Sequence, residues 1–261
     1  MKTNRWFWVP GLALLALSSP AFAQTVDPAP SGVVFLPDFD FHMDAQHLRS
    51  GSEQFTWDAN FGGELDLFRW NGGEATFEAN YEVVMGDERR HFDPHSGNYT
   101  LAGLASGRIG GLVVSPMFHH VSRHLADRPK EEAIDWNSIG FRVEKHAARG
   151  GLELDGRNDF RLVVFKSRVD YNWELDSRID TIYHMRPRVG LISAFGLRIV
   201  GVDGSRNRGT QTGVRAEGGV RLGGENGRMD FYVAGERRID PYPLEFNTRS
   251  WLTFGFRLMS Q

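Results

Sequence analysis

Long stretches of this chain alternate between apolar and polar residues, and the alternation runs further than a soluble sheet requires. Phe55, Trp57, Ala59, Phe61, Leu65 and Leu67 alternate with Thr56, Asp58, Asn60, Glu64 and Asp66. After the turn signal Asn71-Gly72-Gly73, Ala75, Phe77, Ala79, Tyr81, Val83 and Met85 alternate with Thr76, Glu78, Asn80 and Glu82. The last run sets Leu252, Phe254, Phe256 and Leu258 against Arg249, Thr253 and Arg257. Period two places successive side chains on opposite faces of a strand. A soluble strand has about 5–6 residues, whereas these runs reach about ten, the length of a tilted strand that crosses a bilayer. Charge is confined to one face. A Lys or Arg on a lipid face costs about 2–4 kcal/mol at the bilayer midplane, and a wet lumen removes that cost. Closing the sheet removes the edge whose backbone groups lipid cannot satisfy.

The pattern predicts an all-β, antiparallel transmembrane barrel of about twelve strands, at residues 34–44, 54–69, 74–86, 98–108, 111–124, 135–147, 158–170, 176–185, 187–201, 209–223, 228–238 and 248–259. Residues 176–185 also read as a loop, which would lower the count. An even count returns both termini to the periplasmic side. Short Gly-rich turns at 71–73, 109–111, 149–151 and 224–227 fit that side, and the polar segments 86–97, 125–134, 171–176, 202–208 and 239–247 fit extracellular loops. The alternative is a secreted soluble β protein.

Residues 1–23 read as a secretory signal peptide. Lys2 and Arg5 precede the apolar stretch Trp6–Leu17, which is too short to span a bilayer, and Ala21-Phe22-Ala23 has the small-residue spacing of a cleavage site. One domain, residues 24–261, follows. The expected location is the bacterial outer membrane. With no Cys among 261 residues, a lipoprotein anchor, thiol nucleophile and Cys-held metal are excluded. A net charge of −3 argues against nucleic acid as a partner. The expected partners are membrane lipids, lipopolysaccharide and the barrel-assembly machinery, and no cofactor is expected.

The lumen face carries both signs: Asp58, Glu64, Asp66, Glu78 and Glu82 against Arg188, Arg198, Arg215, Arg221, Arg249 and Arg257. In a narrow barrel such groups pair across and plug the interior, although charged rings also line selective pores.

Chemistry concentrates in 118–138. His120 and Ser122 continue the apolar face of Val114, Pro116 and Phe118 toward the extracellular end, with His124 beyond. On the next strand, Asn137 and Asp135 continue the face of Phe141 and Ile139. If Phe118 lies opposite Phe141, Ser122 lies opposite Asn137. A serine nucleophile needs an adjacent base, and that base needs an orienting group. Ser122, His120 and Asn137 (or Asp135) supply those types on the lipid side of the wall. Ordinary headgroup-level polar residues would look the same.

The His120-x-Ser122 pair with Asn137 resembles outer-membrane phospholipase A, a twelve-stranded barrel whose H-x-S pair is oriented by an Asn on the next strand. It is more distantly similar to the lipid A deacylase barrel. The phospholipase's Asn-Gly after the serine is replaced here by Arg123-His124. The segment His120–Asp127 also resembles the signature of the domain of unknown function 1207 family, matching at His120, Ser122, His124, Leu125 and Asp127. That resemblance implies an outer-membrane barrel and supplies no reaction.

Two lesser patterns remain. His91, Asp93 and His95 carry metal-ligand types at alternating spacing, which a solvated loop explains equally. Arg89-Arg90, and Arg123 with Arg128 and Lys130, stand in predicted outer loops where they could bind lipopolysaccharide phosphates. Three functions follow: a plugged barrel with a structural or envelope role, an outer-leaflet lipid hydrolase using His120 and Ser122, and a small-solute channel.

Overall fold

The computed structural model describes residues 32–126 and 133–260. The expected signal peptide lies outside the described residues, as do Asp127, Arg128 and Lys130.

The chain forms β1 (Val34–Phe35), β2 (Phe39–Arg49), β3 (Trp57–Trp70), β4 (Gly73–Gly86), β5 (Asp93–Ile109), β6 (Leu112–Leu125), β7 (Ile134–Arg149), β8 (Leu152–Ser167), β9 (Tyr171–Arg186), β10 (Val189–Val202), β11 (Gln211–Gly223), β12 (Arg228–Ile239) and β13 (Thr248–Met259). Neighbouring strands are antiparallel, and β13 pairs with β2, closing the ring. β1 continues the line of β2 along β3 after a break at Leu36, whose φ of 48° is left-handed. The wall is therefore a closed barrel of twelve strands, β2 to β13.

Length follows from alternation. Outward positions are apolar and exposed: Phe61, Phe77, Phe118, Ile139, Phe195, Phe231 and Phe254 all face away from the lumen. Inward positions hold the charges. The β5–β6 and β7–β8 hairpins turn on Gly110-Gly111 and Gly150-Gly151, each with φ positive at both residues, as a two-residue turn matched to strand twist requires.

Several boundaries differ from the sequence expectation. Residues 176–185 are strand, within β9, and 171–176 are strand rather than loop. β5 begins at Asp93, so the predicted loop 86–97 shortens to residues 87–92. β8 begins at Leu152, six residues before the predicted start at 158.

Ion pairs line the lumen around a cavity of about 660 Å³. Arg238 reaches Asp58 at 2.6 Å, Glu236 at 2.7 Å and Glu82 at 2.9 Å. Arg142 ties Glu78 on β4 to Asp159 on β8. Arg161 bridges Asp159, Glu174 and Asp176, and Arg198 reaches Glu174 at 2.5 Å. One expected lumen cation lies elsewhere: Arg188 is exposed at a turn beside Glu225. Arg249 is on the inward face of β13, over the buried Phe55 ring and paired with Glu245.

Side chains tie the extracellular end together. Arg208 clamps Asp170 and Asp240, Tyr171 donates to Asp240, and Arg123 donates to the carbonyls of Asp240 and Pro241. Two apolar clusters pack at the same end, one around Ile134, Trp136, Tyr171 and Val200 and the other around Leu48, Phe55 and Trp251. Arg123 is thus a buried lumen residue rather than an outer-loop cation.

Candidate active site on the outer wall

The β3–β8 wall can be read as rows of paired outward residues. One row runs Leu65, Phe77, Gly103, Phe118, Ile139, Leu162. The next, toward the extracellular end, runs Gly63, Ala79, Leu101, His120, Asn137. Above it come Phe61, Tyr81, Tyr99, Ser122, Asp135. The lowest row is apolar. Polar chemistry begins one row higher, at His120.

That third row marks a height. The Phe61 and Tyr81 rings lie 5.2 Å apart, Tyr81 and Tyr99 4.5 Å apart, and Tyr99 meets His124 edge-on at 5.5 Å. Aromatic girdles sit where acyl chains give way to headgroups. Ser122 stands in the same row, opposite Tyr99.

The register differs from the sequence expectation by two residues. His120, not Ser122, lies opposite Asn137, and Phe118 lies opposite Ile139 rather than Phe141. Ser122 lies opposite Asp135. A two-residue slip keeps every side chain on its own face, so the alternation pattern could not exclude it.

The observed register brings His120 and Asn137 into contact, with Nδ1 2.6 Å from Oδ1. An amide oxygen only accepts, so the imidazole carries its proton on Nδ1 and leaves Nε2 as a base. Ser122 Oγ lies 2.9 Å from His124 Nε2. The hydroxyl therefore has an imidazole two residues away on either side, all on one strand face. Sequence reasoning placed His124 on that face without assigning it a role, although period two puts residues 122 and 124 side by side. The third histidine of the cluster, His119, points into the lumen, and its buried Nδ1 makes no hydrogen bond.

The expected 91–95 metal pattern disperses. His91 approaches Asp87, Asp93 approaches Arg90, and His95 is buried between Phe55 and Tyr242. Among the described residues no cluster of three or more metal-ligand side chains occurs.

No family model and no curated protein matches this chain, so the domain of unknown function 1207 resemblance has no such support. Solved structures do match. The outer membrane phospholipase of Salmonella typhi, a dimer with bound calcium, is similar over 89% of this chain and 93% of its own, with TM-score 0.54 and 13% identity. Outer membrane phospholipase A from Escherichia coli is similar over 87% of this chain and 98% of its own, with TM-score 0.53 and 14% identity. An outer membrane channel from Pseudomonas putida F1 is similar over 90% and 99%, with TM-score 0.53 and 11% identity. This chain is a bacterial outer-membrane barrel. At such identities the likeness establishes the fold alone, and both enzymes and a channel share it, so any function must be argued from this chain's own residues.

Proposed function

We propose that this barrel is an outer-leaflet lipid acyl hydrolase, with Ser122 as nucleophile, His120 as general base and Asn137 holding the imidazole. The observation that carries the reading is the 2.6 Å contact between His120 Nδ1 and Asn137 Oδ1 beside an outward serine. A buried triad on the lumen side would meet water-soluble substrates. These three side chains stand on the outward face of β6 and β7, toward lipid.

Chemistry follows from that geometry. Rotation about the Ser122 Cα–Cβ bond moves Oγ from His124 toward His120. As Oγ bonds the ester carbonyl carbon, its proton passes to His120 Nε2. The tetrahedral adduct collapses, the C–O bond to the leaving alcohol breaks, and His120 returns the proton to that alcohol. Water, deprotonated by the same imidazole, then cleaves the acyl-serine and releases a fatty acid.

A second reading is a catalytically silent, sealed envelope barrel. It is favoured by the Ser122 hydroxyl being bonded to His124 rather than to His120. Labelling by an alkyl fluorophosphonate separates the two. The hydrolase reading expects one adduct on Ser122, lost in Ser122→Ala and much reduced in His120→Ala. A barrel that is folded, by its heat-modifiable gel mobility, yet unlabelled would overturn it. Against the third function, a channel, stand the ion pairs that cross the lumen from strand to strand, and a planar-bilayer recording tests it.

A further inference from the structure

The apolar belt has a gap beneath the candidate site, at Gly103. In the row Leu65, Phe77, Gly103, Phe118, Ile139, Leu162, five positions carry large side chains and one carries none. Below Gly103, on the same face of β5, stands only the methyl of Ala105. The result is a groove with Phe77 on one bank, Pro116 and Phe118 on the other, and Gly103 and Ala105 as its floor; it continues past Phe118 to Ile139, Phe141 and Phe160, with a total volume of about 730 Å³. Its lining is almost wholly apolar. The outward side of Gly103 is open: a Cβ built there meets no atom within 4 Å.

The groove is placed in register with Ser122. Gly103 pairs with Phe118, and Ser122 is four residues further along the strand that bears Phe118. At roughly 3.3 Å per residue the groove opens about 13 Å below the hydroxyl, on the membrane side. An ester carbonyl at Ser122 would send its acyl chain inward along that line. A short acyl group would end before reaching Gly103, whereas a long one would run into the gap.

Resting on the hydrolase reading, we infer that this groove holds the acyl chain of the lipid being cleaved. Gly103 then determines specificity, favouring long acyl chains. The groove is built by one copy of the chain. Burying methylenes against Phe77 and Phe118 fixes the chain's direction and hence the carbonyl's position at Ser122. That is how remote binding energy becomes rate at the reacting centre.

Gly103→Phe fills the gap without touching Ser122, His120 or Asn137. Hydrolysis of dipalmitoyl phosphatidylcholine in mixed micelles and of p-nitrophenyl butyrate should be compared in the native barrel, Gly103→Phe and Ser122→Ala. The expected result is a loss of at least tenfold on the palmitoyl lipid with butyrate hydrolysis unchanged. Gly103→Ala, which leaves most of the gap, should fall between. An unchanged palmitoyl-to-butyrate ratio in Gly103→Phe, with both activities still dependent on Ser122, would overturn the groove and leave the hydrolase standing. Hydrolysis that is absent, or survives in Ser122→Ala, would overturn the hydrolase and the groove with it.

Discussion

His120 on β6 and Asn137 on β7 face each other across the outer wall of the barrel, with ring nitrogen and amide oxygen 2.6 Å apart. The contact selects one tautomer and one ring orientation. Its loss would cost about 1 kcal/mol of positioning, a neutral hydrogen bond's typical net value, or roughly fivefold in rate. Asn137→Ala should therefore lower kcat about fivefold with KM little changed. Asn137→Asp keeps an acceptor and should retain more activity than the alanine variant.

Two imidazoles flank Ser122, and their roles are separable. If His120 is the base, His120→Ala should lower kcat by about 10²–10⁴, the usual contribution of general base catalysis. His124→Ala should change it less than tenfold, because His124 only holds the resting hydroxyl. The reverse pattern, measured as acyl release, would move the base to His124.

Inside the barrel, Arg238 satisfies Asp58, Glu82 and Glu236 together, and Asp58 is completely buried. Removing one partner from such a set strands the others, at a cost of about 3–5 kcal/mol. Arg238→Ala should lower the urea midpoint of the refolded barrel accordingly, whereas Arg188→Ala, at an exposed turn, should leave it unchanged. The native barrel should show no steady current in a planar bilayer.

The extracellular loops respond to acid. Lys166 and the Ser205 amide hold the Asp203 carboxylate well below the usual range. Arg249 lowers the Glu245 carboxyl, against the opposing effect of burial and with a smaller contribution from Asn247. Both groups are charged in the folded state over a wider pH range than in the unfolded chain. Their contribution is thus fully present above the ordinary carboxylate pKa of about 4 and fades as pH falls through the lowered value. Protease nicking within 203–210 should stay slow at neutral pH and down to about pH 4, then quicken only in stronger acid. Lys166→Ala should bring that onset to higher pH.

Sequence made some of this legible and hid the rest for physical reasons. β3 and β4 could be read because every outward residue but glycine is apolar. β9 was obscured because Ser177 interrupts its outward face between Leu175 and Ile179; its hydroxyl is satisfied by Asn158 on β8 at 2.8 Å. The start of β8 was obscured by the charged, exposed hairpin that leads into it. The faces of His120, Ser122 and Asn137 were legible, and their register was not, since a two-residue slip preserves facing. The hubs Arg142, Arg161 and Arg238 were missed because their partners come from strands far apart in sequence. Closure of the ring alone brings them together.

The most direct test is acyl release. Refolded barrel should be incubated separately with phospholipid and with lipopolysaccharide, and free fatty acid followed by mass spectrometry beside Ser122→Ala. The account predicts release from one of these lipids by the native chain and none above background from the variant. No release from either lipid by a folded native barrel, or equal release by Ser122→Ala, would contradict it.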